Sequence, residues 1–148
     1  MKKLIRYTLI ILLLALVVIQ FIRPDRMVPD YDESQDFIAS VNPPAEVAQL
    51  LKSACYDCHS WKTKYPWYDR IAPVSYWLSS HVNEGREELN FSLWGSYSPK
   101  RADHKLEESM ELVEEGEMPL KSYTWTHAEA RLNDAQRMQL IQFFQSLR

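Results

Sequence analysis

The sequence predicts an all-α chain, on three observations. No segment alternates apolar and polar residues with the period of two that marks a half-buried strand. Apolar residues instead recur at i, i+3, i+4 and i+7 in several short runs, as in Val47, Leu50, Leu51 and Ala54. Each run is bracketed by residues that start or stop helices: Pro44, Pro73, Ser98-Pro99, Asn133 and Gly116.

The first predicted helix is the run Tyr7–Ile22, uncharged and rich in Leu, Ile and Val. Extended back to Leu4 it would span about 28 Å, close to a bilayer core. Arg6 and Arg23 are placed to reach the two interfaces. Lys2, Lys3 and Arg6 assign the N-terminus to the cytoplasm by the positive-inside rule. No small-x-small cleavage site ends the run. Residues 1–23 are therefore expected to be an uncleaved transmembrane anchor, with the rest of the chain exported. Residues 24–43, with Pro24, Pro29, Pro43 and many acids, read as a tether.

Residues 44–148 read as one domain of short helices. Pro44 suits a first helical position. After Pro73, the residues Val74, Trp77, Leu78, His81 and Val82 share a face. A third helix opens at Ser98-Pro99, carries Leu106, Met110 and Val113, and stops near Gly116. Thr126 with Glu129, and Asn133 with Gln136, read as capping boxes of two more helices. The last of these carries Met138, Ile141, Phe144 and Leu147.

Charge narrows the function. The chain has a net charge of −3, yet residues 27–148 hold 12 basic and 19 acidic side chains. Such a domain repels phosphate, which argues against nucleic acid as a partner. Nine of the 18 aromatic residues fall between Trp61 and Tyr97, suited to lining a flat guest or to an aromatic core.

The chemistry concentrates in Cys55-Tyr56-Asp57-Cys58-His59, which holds both cysteines of the chain. Two thiols three apart at a helix end face one side, where each can add to one vinyl group of a haem. The adjacent His59 can then serve as the proximal iron ligand. The rivals are weaker. A disulfide would close too short a loop to stabilise much. A thioredoxin-like pair lacks its βαβ context. A zinc site lacks a paired His motif. For the opposite face of the iron, Met118 stands out in Gly116-Glu117-Met118-Pro119, a loop rather than a helical stripe. Met110 and Met138 sit on apolar stripes and read as core. His81 is the runner-up as distal ligand, or a partner of a haem propionate. Glu107, Glu108, Glu111, Glu114, Glu115 and Glu117 read as a solvated face, or as a docking patch for a basic redox partner.

Around these residues the sequence resembles the bacterial haem-binding domain family of small, exported, cytochrome c-like domains. The resemblance is carried by CYDCHS at 55–60, TKYPWY at 63–68, IAPVSYWLSSHVNEGREELNFSLW at 71–94 and GEMPLKSYTWTHAEARL at 116–132. It implies covalent haem on Cys55 and Cys58 with His59 as ligand, in a cytochrome c-like helical bundle around one haem c. The expectation that follows is a non-enzymatic, single-electron carrier of the bacterial inner membrane. It would be single-pass, with its domain in the periplasm and a redox protein as partner. The alternative is a haem sensor or peroxidase with an open distal site.

Overall fold

Eight α-helices and no strand make up the chain in the computed structural model, which describes residues 1–148. They are α1 (Lys2–Ile19), α2 (Phe37–Val41), α3 (Ala45–Ala54), α4 (Tyr56–His59), α5 (Val74–Glu88), α6 (Pro99–Glu114), α7 (Lys121–Thr124) and α8 (Asp134–Ser146). Short 3-10 turns link several of them.

The expected transmembrane anchor is corrected. No helix is long and apolar enough to cross a membrane. α1 stops at Ile19, and Lys2, Lys3 and Arg6 lie inside it. Its uncharged part, Tyr7–Ile19, rises only about 20 Å, short of the roughly 30 Å of a hydrocarbon core. The single-pass inner-membrane location with a periplasmic domain loses its basis with it. No residue of α1 is buried.

The end of the segment read as an anchor and the stretch read as a tether are both tied to the domain. Gln20 donates its side-chain amide to the Ala72 carbonyl (3.0 Å) and accepts from the Ala72 N–H (2.9 Å). Arg26 pairs with the fully buried Asp69 and lies over the Tyr65 ring. Asp36 caps α2 by accepting from the Ile38 N–H, and Asn42 ends that helix in the left-handed region at φ 45°. Between them Phe37 has no solvent exposure and forms the hub of the core. Its ring lies 5.1 Å from Phe91 and 4.8 Å from Trp94, the latter edge-on. Leu51 of α3 and Leu140 of α8 complete this core, both fully buried. Composition marks residues 24–43 as chain that resists regular structure, but Arg26 and the buried Phe37 beside its capping Asp36 dock it.

Three further elements differ from expectation. In α5 the buried residues are Ser75, Ser79, Val82 and Arg86, while Val74 and Trp77 are exposed. Small Ser side chains let the helix lie close to its neighbours, so the buried face is not the apolar one. In α8 the buried pair is Leu140 and Phe144; Met138 and Leu147 face outward, so Met138 is not core. Thr126 and Glu129 form no capping box. Thr126 instead exchanges a hydrogen bond with Tyr68 (2.9 Å), and the local helix is α7, one turn earlier. The Asn133/Gln136 capping box of α8 is present in both its hydrogen bonds.

Candidate functional site

One cavity of about 610 Å³ opens between α4, α5, α6 and the loop that precedes α7. Its lining includes Cys55, Cys58, His59, His81 and Met118. All five residues singled out from sequence thus meet at one space. It falls within the size range of small-molecule and cofactor sites.

The wall on the cysteine side is built from backbone packing. α3 ends at Ala54, and Cys55 opens α4, so both thiols lie where two helices join. α5 crosses directly beneath at Gly85. A Cβ there would sit 2.8 Å from the Cys58 carbonyl oxygen, so only glycine permits the approach. The close crossing serves His59. Its Nδ1 lies 2.8 Å from the Gly85 carbonyl and 3.1 Å from the Leu89 carbonyl. Both partners only accept, so Nδ1 carries the proton and Nε2 keeps a free lone pair. Burial pushes the His59 pKa down, against the pull of those two carbonyls, which keeps the imidazole neutral and able to bind a metal.

The cysteines are free thiols. Burial pushes Cys55 up to about 12 and Cys58 up to about 11, with Asp57 adding to the second and Arg86 opposing it. No group of three or more His, Cys, Asp or Glu side chains is arranged to hold a metal ion, so the zinc reading has no cluster behind it.

Several residues that sequence reasoning passed over hold this wall. Arg86, buried, donates from Nε to the Ser60 carbonyl (2.8 Å) and from Nη2 to Thr63 Oγ1 (2.8 Å), and stacks on Trp61. Tyr56 donates to Asp36 (2.8 Å) and lies parallel to Phe91 at 5.2 Å. Asp57 accepts from the Tyr123 hydroxyl (2.8 Å) and the Lys64 N–H (2.9 Å). The available signal was Gly85 within a helical run, a position that costs stability unless something needs the space.

The opposite wall is a loop. α6 runs out at Glu114 and the chain turns through Gly116 at φ 74°. Met118, half-buried, donates its N–H to the Leu112 carbonyl (3.0 Å). His81, half-buried at the cavity, bonds through Nδ1 to the Trp77 carbonyl (2.9 Å), and its ring lies 4.4 Å from that of Trp77. Around the cavity stand Glu84 and Glu88 from α5, and Glu108 and Glu111 from α6. Lys105 lies among them, 2.6 Å from Glu108 and 3.4 Å from Glu88. Of the acidic run, then, Glu108 and Glu111 reach the cavity.

A model of the haem-binding domain family matches residues 14–146, and the chain belongs to that family. No curated protein and no solved structure matches it. The residues at the cavity fit a haem: two free thiols three apart, an imidazole whose Nε2 is free, and a thioether on the facing loop.

Proposed function

We propose that this haem-binding domain holds one haem c covalently and transfers single electrons, without catalysing a reaction of its own. The observation that carries this reading is that Cys55, Cys58, His59 and Met118 line the same cavity while His59 is locked by Nδ1. The Cys55 and Cys58 thiols would each add across one vinyl group, sulfur bonding to one carbon and the thiol hydrogen ending on the other, with no atom lost. His59 would hold the iron through Nε2, its ring orientation fixed by the Gly85 and Leu89 carbonyls. Met118 would hold it from the opposite face. Bound haem supplies an iron that cycles between ferric and ferrous states, and a thioether ligand favours the ferrous one. Phe91, Leu112 and Val113 give the cavity an apolar lining beside the thiols and the imidazole. A partner redox protein would approach at the acidic mouth.

The test is direct. The chain matured with a haem-attachment system should retain haem on a denaturing gel, and Ser at both Cys55 and Cys58 should abolish it. A wild-type chain that loses all haem on denaturation overturns covalent attachment. The ferrous protein should bind CO slowly if the sixth position is closed. His81 lines the same cavity, which keeps a second reading in view, a sensor or peroxidase with an open distal site. Rapid CO binding by the wild-type protein would select it.

A further inference from the structure

Met118 sits in a loop, yet its backbone is pinned at both polar atoms. Its N–H goes to the Leu112 carbonyl at 3.0 Å. Its carbonyl accepts from Arg137 Nη1 at 3.0 Å, and the same nitrogen donates to the Val113 carbonyl at 2.8 Å. Val113 belongs to the last turn of α6, whose terminal carbonyls have no partner within the helix. One guanidinium nitrogen therefore joins the end of α6 to the loop that carries the sulfur. Arg137 in turn stands one residue after Gln136 of the α8 capping box, so the start of α8 fixes where the guanidinium lies. A charged donor shared by two carbonyls is stronger than a neutral one, and it crosses between segments that no other side-chain hydrogen bond joins at this loop.

We infer that Arg137 is the positioning residue for the sixth iron ligand: it holds the Met118 thioether against the cavity by clamping the loop to α6. The inference rests on Met118 as axial ligand, so the experiment separates the two. Five holoproteins are compared: wild type, Met118→Ala, Arg137→Ala, the double variant, and Arg137→Lys as the conservative exchange. Three readouts are taken: the sulfur-to-iron charge-transfer band of the ferric form, the reduction potential, and the rate of CO binding to the ferrous form. Amide hydrogen exchange at Met118 follows the backbone independently.

Arg137→Ala is expected to weaken the band, lower the potential, speed CO binding at least tenfold and speed exchange of the Met118 amide. Arg137→Lys, which keeps a donor, should restore part of each. In the Met118→Ala background, Arg137→Ala should change neither potential nor CO rate. A merely structural role would shift both in either background, and that result overturns the proposal. So does an Arg137→Ala protein with unchanged band, potential and CO rate while Met118→Ala loses the band; Met118 then stands as ligand and the clamp does not. If wild type has no such band and Met118→Ala changes nothing, the ligand reading itself fails and takes the clamp with it. Should Arg137→Ala not fold, Arg137→Met, which keeps the aliphatic stem but has no donor, carries the same comparison, and an unchanged band, potential and CO rate in it overturn the proposal.

Discussion

Each wall of the cavity depends on a glycine, and the two glycines work for opposite reasons. Gly85 has an ordinary helical backbone but no room: an added Cβ would meet the Cys58 carbonyl at 2.8 Å. Gly116 has open space on all sides but a φ of 74°. The first is there because two helices touch backbone to backbone, which fixes His59 through carbonyls that cannot move independently. The second is there because a helix must reverse into a loop. The contrast describes the site as a whole. The thiol and imidazole side is set by rigid packing, and the thioether side by a turn and its hydrogen bonds. Under the proposed reading, the side that would bond the haem is the one held fixed, and the thioether would be adjustable by small changes in a loop.

The largest effect should come from Gly85→Ala. Relief of the clash requires α5 to move off α4, which carries both His59 acceptors away. A loss of about 2 kcal/mol in unfolding free energy is expected, with the urea midpoint as the measure. A more bulky Gly85→Val should cost more, and both should lower the yield of haem-bearing protein. Near-normal stability in Gly85→Ala would mean that the two helices are not held at this distance.

Next comes Tyr123→Phe, which cuts the link between the walls. The Tyr123 hydroxyl donates to Asp57 at 2.8 Å and lies 3.2 Å from the Ser53 carbonyl. Burial and the neighbouring carboxylate hold its pKa above the ordinary phenol range, so it stays a donor through neutral pH. Removing the hydroxyl leaves Asp57 with one fewer partner and should cost about 1.5 kcal/mol. An Asp57→Asn partner variant combined with Tyr123→Phe should then cost little more than either alone.

Gly116→Ala should cost less, about 1 kcal/mol, since only the left-handed backbone opposes it. The sharper measurement is Gly116→Asn, because Asn tolerates that region and should recover most of the loss. Asn at position 85 should be worse than Ala, because there the obstacle is volume. If Asn rescues neither site or both, the distinction between space and backbone angle is wrong.

That these residues would meet at one cavity was legible because part of the pattern is local in sequence. Cys55, Cys58 and His59 lie within about one turn, and Met118 stands out by its loop setting. The supports were not legible, since they are long-range. Nothing near Arg86 in sequence tells that it reaches Ser60, and nothing near Arg137 points to Met118. The fold shows the same division. The caps at Ser98 and Asn133 are local and were readable. The burial of Phe37 depends on Phe91, Trp94 and Phe144. The buried face of α5 was misread because it is made of Ser and Arg rather than apolar residues. The membrane expectation overreached by counting Tyr7–Ile22 as one helix, when the helix ends at Ile19 and its first turns carry three cations.

The smallest effect on stability at neutral pH, and the closest probe of the rigid wall, concerns the thiols. Burial raises Cys58 to about 11 and Cys55 to about 12, against about 8.5 for a free thiol. Only the thiolate attacks an alkylating reagent. In chain produced without haem, iodoacetamide should therefore react at pH 8 at least about a hundredfold more slowly than in the urea-unfolded chain. The rate should climb with pH, Cys58 reacting before Cys55. Linkage gives the same sign. Above about pH 8.5 the unfolded chain holds fewer protons on these sulfurs than the folded one, so stability is full below that pH and falls as pH rises toward 11 and 12. Ser at both positions should flatten this alkaline limb. Met118→Ala should leave it intact, because a thioether binds no proton in this range. If both thiols are instead alkylated at pH 8 as fast as in urea, the cysteine wall opens when haem is missing, and its rigidity comes from the cofactor rather than from the crossing at Gly85.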